Sequence, residues 1–302
     1  MGAGPRSNDG AHRVNLFVFG LGYTAGRFVA RERARFDRVV ATVRDPGRHA
    51  PEGVALRAFG PEAGDPRLIA DLAACDAVLV SIPPDGTGDP ALRAYASALA
   101  EGPARWIGYL STIGVYGDQG GAWIDEATPT APTSERTRRR VEVERAWLEL
   151  GARTGKAVQV FRLAGIYGPG RNPFVKLAEG RAQRIVKPGQ VFNRIHADDI
   201  AAVLAASLDR PRPGAVYNVA DDEPAPPQDV VALAAEMAGV APPPETPFAG
   251  APMSPMARGF YGENKRVRNR LIADELGVRL AYPTYREGLA ALKDAEAGRF
   301  AR

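Results

Sequence analysis

The chain has one cysteine, three histidines and no lysine before Lys156. A lone thiol, Cys75, excludes an internal disulfide framework and a cysteine zinc site. His12, His49 and His196 are too scattered to gather a metal ion, so no metal is expected. Lysine stands only at positions 156, 176, 187, 265 and 293, and arginine carries the positive charge of the first half. No run approaches the ~18 uninterrupted apolar residues of a membrane span. Residues 1–13 are small, polar and charged, without the apolar stretch of a signal peptide. They read as a loose tail, and the protein as cytoplasmic. The net charge of +4 is dispersed, and basic and aromatic residues do not concentrate on one stretch. Neither nucleic acid nor a membrane is an expected partner.

What is present is enough apolar material for a sizeable core: 45% hydrophobic against 25% charged over 302 residues. That length suits one large or two closely joined domains at ~100–200 residues each. Apolar, β-branched runs at 14–19, 38–43, 54–59, 77–82, 105–110 and 157–163 predict strands. Helical patterns at 23–35, 68–74, 90–100 and 133–152 separate most of them. This alternation implies βαβ units and a Rossmann-type, doubly wound parallel sheet of the α/β class. Beyond Gly165 the pattern loosens. Helices are expected at 197–208, 228–238, 271–276 and 285–297, a strand at 215–219, and a proline-rich surface loop at 241–255. The division predicted is a nucleotide-binding part over 14–165, its sheet completed by 191–220. A smaller substrate-binding part spans 166–190 and 221–302.

Gly20-Leu21-Gly22-Tyr23-Thr24-Ala25 follows the first strand and opens a helix, fitting G-x-G-x-x-G/A. Gly20 allows the tight turn, Gly22 lets backbone N–H groups approach a diphosphate, and Ala25 lets helix pack on sheet. Tyr23 and Thr24 complete the bend. The acidic residue that usually accepts the ribose of NAD is due about 20 positions on. Counting from Gly22 reaches Thr42, then Val43 and Arg44. Arg44, with Arg48 nearby, suits the 2′-phosphate of NADP. Asp45 keeps NAD open as the less favoured coenzyme.

These segments together carry a family resemblance. GLGYTAG, VSIPP, YLSTIGVYGD, FRLAGIYGPGR, RIHADDIAAV and YNVADDEP resemble, in order and spacing, the extended and atypical short-chain dehydrogenase/reductases. This is the NAD-dependent epimerase/dehydratase family, and the match runs roughly from Val14 to Leu292. The resemblance implies that Thr112, with Ser111 beside it, positions a substrate oxygen. It implies that Ser81, Ile82 and Pro83 meet the adenosine side of the coenzyme. It also implies that Leu163, Ala164, Gly165 and Ile166 face the nicotinamide. The family's acid/base Tyr and Lys, four apart on the next helix, align with Arg136 and Arg140. Arginine does not shuttle protons at neutral pH. Arg136, Arg139 and Arg140 either hold ribose or an acidic substrate, or lie on a solvated face with an Arg140–Glu144 pair. Tyr116 is a candidate replacement phenol. Tyr261 and Lys265 form the one Tyr-x-x-x-Lys, interrupted by Gly262; Lys265 is also a candidate contact for an anionic group. His196 is a candidate acid/base or substrate contact, although in the family this stretch is structural, with Asp198 or Asp199 capping the helix. Arg171 and Arg194 are candidate grips for phosphate or carboxylate.

The function expected is NAD(P)-dependent oxidation–reduction or epimerisation of a small, possibly anionic carbonyl, hydroxyl or sugar-type substrate. The alternative is a regulatory or redox-sensing protein that kept the coenzyme site and lost the enzyme. Either acts as a monomer or homodimer.

Overall fold

The computed structural model describes residues 14–47, 49–60 and 64–300. The expectations for the 1–13 tail and for Arg48 lie outside them. In chain order the first half forms β1 (Val14–Phe19), α1 (Tyr23–Arg31), β2 (Phe36–Val43), β3 (Val54–Ala58), α2 (Pro66–Leu72), β4 (Ala77–Val80), α3 (Pro90–Glu101), β5 (Trp106–Thr112) and β6 (Trp123–Ile124). Next come α4 (Glu135–Thr154), β7 (Ala157–Leu163), β8 (Gly165–Tyr167), α5 (Pro173–Ala178), β9 (Arg184–Val186), β10 (Arg194–His196) and α6 (Ala197–Asp209). The chain closes with β11 (Val216–Val219), α7 (Pro227–Met237), β12 (Glu245–Pro247), α8 (Pro255–Tyr261), β13 (Arg266–Val267), α9 (Arg270–Asp274) and α10 (Tyr285–Glu296).

Seven strands make one sheet in the order β11-β7-β5-β4-β1-β2-β3, every neighbouring pair parallel. The expected doubly wound sheet is therefore present. Its strands read as unbroken apolar runs because both faces are covered. Leu16 and Val18 point to one face, against Phe28 and Val29 of α1 and Ile200 and Leu204 of α6. Phe17 and Phe19 point to the other, against Leu68 of α2, Tyr95 and Leu99 of α3 and Trp147 of α4. The winding reverses between β1 and β4, which opens a crevice at the carboxyl ends of those strands.

Helix starts follow local chemistry. Asp89 precedes Pro90 and accepts the Ala91 and Leu92 N–H groups. Ser134 and Thr137 form a reciprocal cap on α4, which ends at Gly155 with φ 70°. The helix expected over 23–35 stops at Arg31, because Glu32 leaves helical angles and a 3-10 turn over Arg33–Arg35 leads into β2. The proline-rich stretch at 241–255 is not wholly loop. Its β12 pairs in parallel with β9, on an edge where Pro247 needs no ladder N–H.

Beyond the sheet, Tyr167, Phe174, Val230, Tyr285, Leu289 and Leu292 form a second, smaller core. β13 pairs with β6, tying this late segment to the loop after β5. No helix among the described residues is long and apolar enough to cross a membrane.

Candidate functional site

The crevice begins at the glycine bend. Gly20 has φ +87°, and a Cβ there would stand 2.5 Å from the Ile82 side chain, so only glycine fits between β1 and the end of β4. Gly22 starts α1 without any side-chain cap and has open space around it. The first turn of α1 therefore begins with backbone N–H groups that have no intrahelical acceptor. Ala25 and Thr24 are buried beneath. Thr42 is fully buried, and its hydroxyl accepts the Gly20 N–H at 2.9 Å. Thr42 thus shapes the bend from below. Tyr23 leans the other way: its hydroxyl donates to the Pro169 carbonyl at 3.1 Å, and Arg171 lies over its ring at 5.6 Å. The GPGR loop is thereby folded against the start of α1.

At the end of β2, Arg44 is exposed and follows buried Val43. Asp45 uses its carboxylate to accept the Gly47 N–H at 2.9 Å. Ser81, Ile82 and Pro83 flank the bend from the end of β4, where the Ser81 N–H donates to the Phe19 carbonyl.

At the other side of the crevice, Thr112 ends β5 half-buried. Its hydroxyl accepts the Gly114 N–H at 3.1 Å and starts a 3-10 turn over Ile113–Tyr116. The hydroxyl proton stays available for a second partner. Ser111 differs: it is buried and donates to Glu144 of α4. Glu144 also accepts two guanidinium nitrogens of Arg162 from β7, one at 2.8 Å. Arg162 in turn donates to the Tyr116 hydroxyl at 2.9 Å, and Tyr116 donates to Asn218 of β11 at 2.8 Å. Tyr116 is wholly buried and burial raises its phenol further. It is a brace inside this network, and the expectation that it replaces the missing acid/base phenol is corrected.

Four arginines crowd the first turns of α4, and three have evident partners. Glu135 holds Arg138 at 3.3 Å and Arg139 at 3.0 Å. Arg140 donates to the Leu110 carbonyl at 2.9 Å and the Tyr109 hydroxyl at 2.8 Å. The expected Arg140–Glu144 pair does not form, because Arg162 takes Glu144. Arg136 is exposed and stacks on Phe260 of α8 at 5.5 Å.

Other expected contacts are turned inward. Lys265 is buried, its ammonium donating to the Gly117 carbonyl and to Glu263, both at 2.6 Å. It props the bend at Gly117, where φ is +63° and a Cβ would overlap the Ala131 carbonyl. Tyr261 closes α8 and packs on Phe192 and Phe248, so it makes no dyad with Lys265. Arg194 donates to the carbonyls of Phe192 and Ala225. His196 is buried between Tyr167 and Tyr282, and its Nδ1 accepts the Asp198 N–H. Burial lowers its imidazole to about 4, so it stays neutral at physiological pH. His196, not Asp198 or Asp199, supplies the cap of α6. Asp198 pairs with Arg27 and Arg31 of α1, and Asp199 accepts the Ala281 and Tyr282 N–H groups.

Asp221 is 1% exposed, and burial pushes its carboxyl up to about 8 against the pull of Arg194. An unfolded chain gives up that proton near pH 4, so the folded state holds it between roughly pH 4 and 8. Stability therefore falls as pH rises through that window. His196 acts oppositely below about 6.5, but it cancels in a comparison that changes only Asp221. Asp221→Asn is expected to gain on the wild type by up to about 4 kcal/mol as pH rises from 5 to 8. Urea unfolding at three pH values reads the difference. A constant gap would show the carboxyl ionised throughout.

Sequence reasoning paired Glu144 with Arg140 and missed Arg162, Asn218 and the brace that joins them. Charged residues inside an otherwise apolar strand and on the buried face of a helix were the available signal.

No protein-family model matches the chain. Protein YeeZ of Escherichia coli K12 is 32% identical over 168 residues, 51% of this chain and 58% of that protein's length. A solved structure with UDP-glucuronic acid and NAD, MoeE5, is 22% identical and superposes over 93% of this chain and 98% of its own with a TM-score of 0.73. Another structure of this fold holds NADPH. The fold is that of the NAD-dependent epimerase/dehydratases, the extended short-chain dehydrogenase/reductase architecture, in agreement with the motif resemblance. More narrowly, the chain belongs to one family with a conserved protein of unknown function from Silicibacter pomeroyi DSS. The two are 48% identical, the match covering 93% of this chain and 99% of that one, with a TM-score of 0.82.

Proposed function

We propose that the chain is an NADP-dependent oxidoreductase or epimerase that moves hydride between nicotinamide and a small carbonyl, hydroxyl or sugar-type substrate. The observation that carries this reading is the glycine bend: a cradle that a side chain at Gly20 would fill, beside an uncapped helix start at Gly22. Such a cradle fits a diphosphate. Proteins of the same fold hold NAD or NADPH. Gly20, Gly22, Tyr23 and Thr24 would hold the diphosphate, Arg44 the 2′-phosphate, and Ser81 to Pro83 the adenosine side. The backbone at Leu163 and Gly165 would lie beside the nicotinamide. Bound there, the coenzyme supplies or accepts the hydride. Thr112 would donate a hydrogen bond to the substrate oxygen as charge develops on it, and water would supply the proton that the oxygen takes up. Residues 166–190 and 221–300 would supply the substrate-binding part.

A second reading also has a specific observation behind it. Arg136 and Arg140 replace the acid/base pair, and the Tyr116 phenol is locked away. A coenzyme-binding regulator without turnover would look the same. Calorimetric titration with NADPH and NADH, followed by a carbonyl panel, separates the readings: binding with consumption of NADPH supports the enzyme, binding alone the regulator. Heat from neither coenzyme removes both. Arg44→Ala is expected to weaken NADPH binding about tenfold or more and leave NADH unchanged. Equal effects on the two coenzymes would exclude Arg44 from the 2′-phosphate.

A further inference from the structure

Resting on the reading of the crevice as a coenzyme and carbonyl site, we infer that Arg136 and Phe260 form a clamp for the anionic end of the substrate. The substrate class is a carbonyl compound carrying a carboxylate or phosphate beside a flat apolar body. Positive charge in the first turn of a helix is disfavoured by the helix dipole, so Arg136 does not serve α4. Among the four arginines there, Glu135 neutralises Arg138 and Arg139, and β5 engages Arg140. Arg136 has an aromatic ring on one side and solvent on the other.

Its position is set by its neighbours. Arg136 and Arg140 are four residues apart on one face, a rise of about 6 Å. Arg140 is tied to Leu110, two residues before Thr112. Arg136 lies one turn nearer the carboxyl ends of the strands, towards the Thr112 end of β5. The same helical turn packs there: a Cβ on Gly114 would sit 3.2 Å from the Thr137 methyl, and Thr112 caps Gly114. Phe260 is 50% exposed and Met256, four residues earlier on α8, is 64% exposed. A planar guanidinium with five donors matches carboxylate or phosphate, and the ring beneath it strips water from one face. The rival cations are occupied elsewhere. Arg194 and Lys265 hold backbone carbonyls, and Arg171 lies at the Tyr23 end of the crevice.

The test titrates the full chain, with and without NADP, against phenyl phosphate, phenylacetate, inorganic phosphate and neutral benzyl alcohol. The wild type is expected to bind the two aromatic anions at least about tenfold tighter than benzyl alcohol. Arg136→Gln is expected to erase that advantage while NADP affinity and melting temperature stay put. Phe260→Ala should weaken the aromatic probes several-fold and inorganic phosphate less. Equal affinity of wild type and Arg136→Gln for the anions, or no saturable binding of either anion, overturns the clamp. Failure of NADP itself to bind overturns the coenzyme reading instead. The comparison without NADP still decides the clamp, because protein side chains alone compose it.

Discussion

Glu144→Ala is expected to lower stability by about 3–5 kcal/mol, the cost of leaving a buried guanidinium without its counter-charge. Glu144 is 3% exposed and Arg162 8% exposed, so the pair is largely shielded from water. The loss spreads, because Ser111 donates to the same carboxylate and Tyr116 leans on Arg162. Replacing both ions together, as Glu144→Leu with Arg162→Met, should recover much of the deficit, since an apolar pair asks for no compensation. Urea unfolding of the three proteins decides the matter. A single-site loss under about 1 kcal/mol would show that the pair is solvated in solution.

Thr112→Val should cut kcat/KM about 10²–10³-fold on any carbonyl compound that the wild type reduces, the usual effect of removing one donor to a developing oxyanion. The change also removes the cap on Gly114, which costs about 1 kcal/mol of stability. NADPH affinity should not move, because Thr112 lies on the substrate side of the crevice. Thr112→Ser, which keeps the hydroxyl, should restore most of the rate. A valine variant as fast as wild type would remove Thr112 from the chemistry.

The sheet was legible because a strand covered on both faces must be apolar throughout, and runs such as Val14–Phe19 and Ala77–Val80 have no other use. The glycine bend was legible for a similar reason: the local spacing states its own backbone geometry. The substrate side was not. Tyr116 and His196 look like free catalytic groups in a linear reading, yet both are buried by partners distant in the chain. Asn218 lies 102 residues from Tyr116, and Tyr167 and Tyr282, which pack on His196, come from separate parts of the chain. Lys265 reaches Gly117 across 148 residues. Local patterns carry no record of such meetings. Charge bookkeeping along a helix fails likewise: the i,i+4 rule pairs Arg140 with Glu144, while a buried arginine from a neighbouring strand competes more strongly.

The prop beneath Gly117 makes two distant parts of the polypeptide answerable to each other. A left-handed bend a few residues past Thr112 keeps its shape because an ammonium group contributed near residue 265 holds its carbonyl, with β13 fastening the same segment to β6. The front wall of the crevice is thus built from chain that lies about 245 positions beyond the glycine bend in sequence.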